Sequence, residues 1–161
     1  MITTNIRERN MFKRKLIMAA VFALSAGLAH AETETESAAK QLVKKAVVHL
    51  RDNGIQKACR DFADPNGSFI KGELYIFVED MQMKMICHST NSRLNGKEMI
   101  ELKDADGKQF NKEMLELVKT KGSGWLDYRW VNPVSKNIEA KSSYVERVGE
   151  YVVGAGIYKN K

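Results

Sequence analysis

The last third of the chain constrains the fold most, because three strand-like segments follow one another there. Residues 125–130, 142–148 and 151–158 are rich in aromatic and β-branched side chains, which favour strands. Asn132-Pro133 and Val148-Gly149-Glu150 form the bends between them. Strands that are adjacent in sequence and joined by such short connections usually pair antiparallel. The sequence therefore predicts an antiparallel sheet as the framework of the fold.

The segments before this region supply two more strands and the elements that cover the sheet. Residues 72–80 and 83–88 read as a hairpin, and apolar side chains recur every three or four positions over residues 38–50, as on a buried helix face. Gly54 either ends this helix or is spanned by it. Residues 94–121 form a loop with one short helix. We predict an α+β fold in which a long N-terminal helix packs on a five-stranded antiparallel sheet, with this loop-and-helix insert between strands two and three.

The third predicted strand carries unusual side chains on both of its faces. Because side chains alternate along a strand, Leu126, Tyr128 and Trp130 form an apolar face. The other face carries Trp125, Asp127 and Arg129 and is charged. The apolar face is either ordinary sheet packing or one wall of a ligand cavity. We expect Arg129 to lie away from that wall, in an ion pair with Asp127 or with a neighbouring strand.

The N-terminal segment has the three parts of a secretory signal peptide. Lys13-Arg14-Lys15 precedes an uncharged run over residues 16–28, and Ala29-His30-Ala31 matches an A-x-A cleavage site. The run is shorter than the roughly 20 apolar residues of a spanning helix. We predict a cleaved leader over residues 1–31, with Met11 as its suspected start. A single periplasmic domain, residues 32–161, then remains without a membrane span.

Charge argues against nucleic-acid binding once the leader is removed. The formal net charge of the whole chain is +6, but five bases and one acid lie in the leader, which leaves +2 for the mature domain. No concentrated basic face remains to bind phosphates. No C-x-x-C or His/Cys cluster is present, so neither a metal nor a cofactor is predicted. Cys59 and Cys87 fit either one disulfide, as in many exported proteins, or two buried thiols.

Several strings, in their order and spacing, resemble the single Cache domain family of PAS-like extracytoplasmic sensor modules. They are GELYIFV (72–78), LNGK (94–97), DADGK (104–108), GWLDYRW (124–130), KSSYV (141–145) and VGAGIY (153–158). The resemblance implies a PAS-like sheet with a small ligand, a short organic acid or amino acid, held between sheet and insert. It also implies that this protein is a free-standing periplasmic form of the sensor module, which signals to a membrane receptor or sensor kinase, as in chemotaxis.

Six residues form the predicted ligand site. Tyrosine hydroxyls and an indole N–H on rigid apolar rings suit a small guest with an acceptor end. A basic side chain would meet its carboxylate, and Lys141 is favoured over Arg129 because it also matches the family's Lys-x-x-Tyr string. His88 is either a ligand contact, which would make binding sensitive to pH, or a structural histidine at a strand end. The predicted site is Tyr75, His88, Tyr128, Trp130, Lys141 and Tyr144.

Catalysis has little support in the sequence, and the chain is predicted not to be an enzyme. A nucleophile needs a base within reach and a third group that orients the base. After leader removal and with His49 on the helix, His88 remains as a candidate base without an obvious partner. Two hypotheses stay open, namely a ligand-binding sensor and a ligand-free envelope interaction protein. The sensor hypothesis expects Tyr128 and Trp130 to wall an enclosed hollow that has room for a guest.

Overall fold

A computed structural model of the protein describes residues 33–159. Its helices are α1 (Glu34–Phe62) and α2 (Phe110–Lys121), and a 3-10 turn covers Ser92–Leu94. Its strands are β1 (Ile70–Lys71), β2 (Leu74–Asp80), β3 (Met85–His88), β4 (Ser123–Val131), β5 (Ile138–Val148) and β6 (Tyr151–Tyr158). Within this range no helix combines the length and the apolar character that crossing a membrane requires. The predicted leader lies outside the described residues.

The first helix is longer than the sequence pattern indicated. A capping box starts it: the Thr33 hydroxyl accepts from the Glu36 amide at 3.2 Å, and the Glu36 carboxylate accepts from the Thr33 amide at 2.8 Å. At Gly54 the backbone leaves helical geometry, with φ 72° and ψ 162°, which glycine adopts without a Cβ penalty. The helix therefore bends at Gly54 and continues beyond it.

The sheet has the predicted antiparallel arrangement with one strand more than expected. Its order is β1-β2-β6-β5-β4, and β3 pairs with β2 as well. Strand β1 has two residues, too few for a period-2 pattern to be visible in the sequence. Strand β3 begins two residues later than predicted, because Asp80 accepts the Gln82 and Lys84 amides in a wide turn. The α+β prediction is confirmed.

Each face of the sheet buries a separate core, because successive strand residues point to opposite sides. The face toward α1 packs residues such as Val43, Val47, Phe62, Ile76, Val78, Tyr144 and Val153. The face toward the insert packs Phe77, Met83, Met85, Met99, Phe110, Met114, Leu126, Tyr128, Val145 and Val152. The predicted ligand site belongs to the second face, except for Tyr144, which belongs to the first.

A disulfide joins the two layers at the edge of the sheet. Cys59, near the end of α1, is bonded to Cys87 in β3. Cys87 directly precedes His88, one of the predicted ligand contacts. The bond therefore fixes the C-terminal part of α1 against the strand that carries His88.

Candidate functional site

Lys141 is the most unusual side chain on the insert face, because it is charged and only 1% exposed. Its stem packs on Gly156 of β6, and its Nζ donates a 2.9 Å hydrogen bond to the Tyr75 hydroxyl on β2. Among residues 33–159, no carboxylate oxygen lies within 4.0 Å of this Nζ. A buried charge without a counter-ion is costly, so Lys141 marks a place where an anion would be stabilised.

Aromatic rings partly replace the water that the buried ammonium has lost. The Nζ lies 4.2 Å from the ring centroid of Tyr75, 5.2 Å from Tyr158, 5.6 Å from Phe77 and 6.0 Å from Tyr128. Such cation–π contacts contribute roughly 0.5–2 kcal/mol each at best. An ammonium has three N–H donors, and within the described chain only the Tyr75 hydroxyl accepts from one of them. The rings shield the charge without satisfying its hydrogen bonds.

The Tyr75 hydroxyl has a proton to offer a guest. It accepts from Lys141, and its oxygen is 3.4 Å from the Tyr158 oxygen, a long contact. Tyr158 in turn donates to the Val131 carbonyl at 2.8 Å. The Tyr75 proton is therefore held only by the long contact, and a stronger acceptor placed beside it would take that proton in a hydrogen bond.

A cavity of about 580 Å³ opens beside this group, between the first part of the insert and the β4–β5 hairpin. Its most buried wall consists of Tyr75 and His88, with half-buried Trp130 next to them. The remaining wall is apolar with a charged rim, formed by Thr90, Asn91, Leu94, Leu102, Lys103, Asp104, Ala105, Arg129, Val131, Pro133, Lys136 and Ile138. Its size and lining are typical of small-molecule sites.

A second, inner cavity lies deeper on the same face and measures only about 10 Å³. Phe110 of α2 stacks on Tyr128 at a centroid distance of 4.5 Å and an angle of 2°, which fills most of the space there. The volume suits about one water molecule. The expectation that Tyr128 borders the main hollow is therefore wrong, since the larger cavity lies one step along β4, at Trp130.

His88 connects the two cavities, because it and Trp130 line both. Its ring centroid is 4.9 Å from that of Tyr75 and 6.5 Å from that of Trp130. Burial, and to a lesser degree the charge of Lys141, lowers the pKa of His88 to about 3. The imidazole is neutral near pH 7, so it serves as a hydrogen-bonding group rather than as a proton switch in that range.

Two polar side chains of the inner cavity were missed from the sequence. Glu79 is 1% exposed and its Oε2 has no hydrogen-bond partner; burial, then the charge of Asp80, raises its pKa to about 8. Asn111 is fully buried; its amide donates to the Met99 carbonyl at 2.7 Å, while its Oδ1 has no partner. Glu79 was detectable in principle, as an acid that shares the parity of Tyr75 within an apolar strand. Asn111 gives no such signal.

The raised pKa of Glu79 predicts a pH-dependent stability that glutamine would remove. Unfolded, this carboxyl ionises near its ordinary value of 4.5, but folded it keeps its proton to about pH 8. Folding is therefore favoured most below pH 4.5, and this contribution is lost as the pH rises to 8. We expect Glu79→Gln to flatten the decline by a few kcal/mol, at about 1.4 kcal/mol per pKa unit. Urea unfolding at pH 5, 6.5 and 8 measures it.

The exposed α2 residue Glu116 provides the control for that experiment. The Glu116→Gln protein carries the same change at an exposed position and should keep the pH profile of the original protein. A Glu79→Gln profile that runs parallel to the original would show that the buried carboxyl does not titrate as described.

The structure brings together five of the six predicted site residues. Tyr75, His88, Tyr128, Trp130 and Lys141 line one cavity or both. Tyr144 does not: it lies on the opposite face, where its ring contacts Trp125 at 5.5 Å. Lys141 and Tyr144 are three residues apart in one strand, so they point to opposite faces and the expectation for Tyr144 is wrong.

Arg129 also departs from expectation. It lines the larger cavity at its rim, although parity placed it away from Trp130. Its Nε is 3.9 Å from Asp106 rather than paired with Asp127, and Asp127 instead meets Lys159 at 2.7 Å. The difference arises because the insert loop folds over this end of β4 and brings Asp104 to the Arg129 amide at 2.9 Å. Arg129 is thus a partly exposed cation at the cavity entrance.

The sequence and the fold of this chain are similar to those of known proteins. The family description "Cache domain" matches residues 15–161. A solved Cache chemosensory domain, described for carboxylic acid recognition, is 28% identical over 78% of this chain and 94% of that chain, with a TM-score of 0.67. A periplasmic sensor domain of a chemotaxis protein is 25% identical over 98% of this chain and 100% of that chain, with a TM-score of 0.58.

A curated relative agrees with these structures over a shorter range. The methyl-accepting chemotaxis protein McpP of Pseudomonas putida is 30% identical over 86 residues. These residues make up 52% of this chain but only 16% of that receptor, so the comparison concerns a domain and not a whole receptor. The family match spans every described element, and the solved relatives share the fold in which the buried lysine and its cavities are set. This chain is a member of the Cache domain family.

Proposed function

We propose that this protein is a periplasmic sensor module that binds a small carboxylate or amino acid and relays the bound state to a membrane signalling partner. The observation that carries this proposal is the buried Lys141 ammonium, which has aromatic walls, one hydrogen-bond acceptor and no carboxylate within 4.0 Å in the described chain. A protein that keeps such a group buried without a counter-ion is suited to receive one from outside.

The guest would enter through the larger cavity and place its carboxylate at the buried wall. There it accepts the proton of Tyr75 and an N–H of neutral His88, while the Lys141 charge lies directly behind the Tyr75 hydroxyl. Hydrogen bonds to an ionised acceptor are roughly twice as strong as neutral ones, and the low dielectric of the site strengthens them further. The apolar wall around Leu94 and Ile138 would cover the carbon chain of the guest.

The bound state would be relayed through the structural elements that line the larger cavity, namely the insert and β3. The insert, residues 94–121, contributes Leu102 to Ala105 to one wall, so a guest that contacts it favours a more closed position. His88 follows Cys87, whose disulfide to Cys59 leads directly to α1. A ligand shifts such an equilibrium only if it binds the two positions with different affinity. The relatives named above are a Cache chemosensory domain, a periplasmic sensor domain of a chemotaxis protein and a chemotaxis receptor, which supports a membrane receptor as partner. A sensor kinase is the other partner that this proposal allows.

Removal of one hydroxyl tests this binding mode. A thermal-shift panel of short organic acids and amino acids should identify at least one stabilising ligand. Calorimetric titration of the Tyr75→Phe protein with that ligand should then show an affinity about tenfold lower, because a charge-assisted hydrogen bond contributes roughly 1.5–3 kcal/mol.

The matched control is Tyr144→Phe, which removes a hydroxyl from the other face of the same sheet and should leave the affinity unchanged. Equal affinities for the Tyr75→Phe and original proteins would contradict the proposed mode. A panel without any stabilising compound, together with co-purification of an envelope protein, would favour the ligand-free interaction protein instead.

A further inference from the structure

The inner cavity contains two polar groups whose hydrogen-bonding needs differ. Glu79 Oε2 and Asn111 Oδ1 are the buried side-chain oxygens or nitrogens of the described chain that lack a partner, and both residues line the same space of about 10 Å³. Leaving such groups unpaired costs roughly 1–3 kcal/mol each. Their convergence on one water-sized space indicates that something polar occupies it when the site is in use.

We propose that the bound acid carries a hydroxyl group beside its carboxylate, and that this hydroxyl enters the inner cavity between Glu79 and Asn111. This inference rests on the proposed function, since it names the class of acid that the same site selects. It makes the preferred ligand a 2-hydroxy acid rather than an unsubstituted or amino acid.

One of the two side chains needs a hydrogen-bond donor and the other needs an acceptor. The Asn111 amide nitrogen is already used by the Met99 carbonyl, so its free oxygen needs a donor. Glu79 has its pKa raised to about 8 and is protonated at pH 7, so it has an O–H to donate. One hydroxyl group meets both needs, because it donates one hydrogen bond and accepts others. A methyl or methylene group would satisfy neither side chain.

An ammonium group fits less well than a hydroxyl. It would donate to Asn111, but it has no lone pair to accept from protonated Glu79. It would also stand on the same cavity wall as the Lys141 ammonium, which lacks a carboxylate partner within 4.0 Å in residues 33–159. Like charges in a buried site repel strongly. The inner cavity therefore selects against an amino group on the carbon next to the carboxylate.

The position of the inner cavity suits a substituent on that carbon. Lys141 lines the inner cavity, while Tyr75, which accepts its hydrogen bond, lines the larger one. A carboxylate held at Tyr75 therefore lies at the boundary between the two spaces, where His88 and Trp130 form the common wall. A volume of about 10 Å³ admits one oxygen-sized group and excludes a longer branch.

Paired ligands that differ by one hydroxyl test the inference. Calorimetric titration of the purified protein should give at least tenfold tighter binding for glycolate than for acetate, and for one enantiomer of lactate than for propionate. Alanine, with an ammonium at the same position, should bind no better than propionate. In the Glu79→Leu and Asn111→Leu proteins, the ratio of the lactate affinity to the propionate affinity should fall to about one.

Glu79→Gln is the conservative variant at the same position, because its amide still offers a donor, and it should restore the preference for lactate that Glu79→Leu loses. Equal affinities of the original protein for lactate and propionate would overturn the inference, with a water molecule filling the inner cavity, and would leave the proposed function intact. Absence of binding by every acid in both pairs would instead count against the proposed function. The comparison in the original protein decides the matter even if a leucine variant fails to fold.

Discussion

Replacement of Lys141 by methionine should abolish carboxylate binding and, in the same protein, raise the melting temperature of the unliganded domain. Methionine keeps most of the length and apolar surface of the lysine stem, which packs on Gly156. It removes a charge that is 1% exposed and that, within the described residues, has no carboxylate within 4.0 Å. Apolar replacement of buried charges often stabilises proteins by roughly 1–4 kcal/mol. We expect at least a 30-fold loss of affinity, since loss of a buried charge partner costs about 2–5 kcal/mol.

The two effects together distinguish a lysine that serves as the counter-ion of a ligand from a lysine that stabilises the fold. Thermal unfolding without ligand and calorimetric titration with the best acid of the panel measure them separately. Lys119→Met, the same change at an exposed position of α2, should alter neither quantity appreciably. A Lys141→Met protein that is less stable than the original would show that the lysine already has its stabilising partner within the chain.

The second large effect should come from a single methyl group at Gly156. A Cβ at this position would overlap the Cε of Lys141 and the Oγ of Ser143, so both side chains would have to move. Ser143 is hydrogen-bonded to the Tyr128 hydroxyl at 3.0 Å, which limits how far it retreats. We expect Gly156→Ala to displace Lys141 from Tyr75 and to lower ligand affinity at least tenfold, at a stability cost of about 1–3 kcal/mol.

Gly124→Ala is the control for this effect, because its methyl group would meet the Leu117 side chain of α2, which lines neither cavity, instead of the lysine. Leu117 has to shift at some cost in stability, so this variant should be slightly destabilised while its affinity, measured well below its melting temperature, stays unchanged. Calorimetry on both variants makes the comparison. An unchanged affinity in Gly156→Ala would mean that Lys141 reaches the ligand from another position, or does not reach it.

The fold was predictable from the sequence because local signals agree with one another. Alternating strand patterns and turn residues such as Val148-Gly149-Glu150 specify an antiparallel sheet, and the apolar stripe on residues 38–50 specifies the covering helix. Where signals are weak, the prediction was incomplete. The two-residue strand Ile70–Lys71 was missed because it has no pattern of its own. Continuation of α1 past Gly54 was left open, because it depends on the packing of the helix against the sheet.

The site was predictable only in part, because contacts between distant elements decide its shape. Lys141 was predicted to be the anion contact, but its burial depends on Gly156 of the neighbouring strand, which becomes apparent only once the strands are paired. Phe110 comes from α2 and fills the space beside Tyr128, and nothing in either local segment indicates that stacking. The error at Tyr144 was of a different kind, since strand parity alone places its side chain on the face opposite Lys141.

A crystal structure of the protein with the tightest-binding acid of the panel tests this binding mode most directly. We expect a carboxylate at the buried wall of the larger cavity, with one oxygen about 2.7 Å from the Tyr75 hydroxyl and the Lys141 ammonium within about 4 Å. A ligand held at the rim by Arg129 or Lys136, with Lys141 still without an anion, would contradict it.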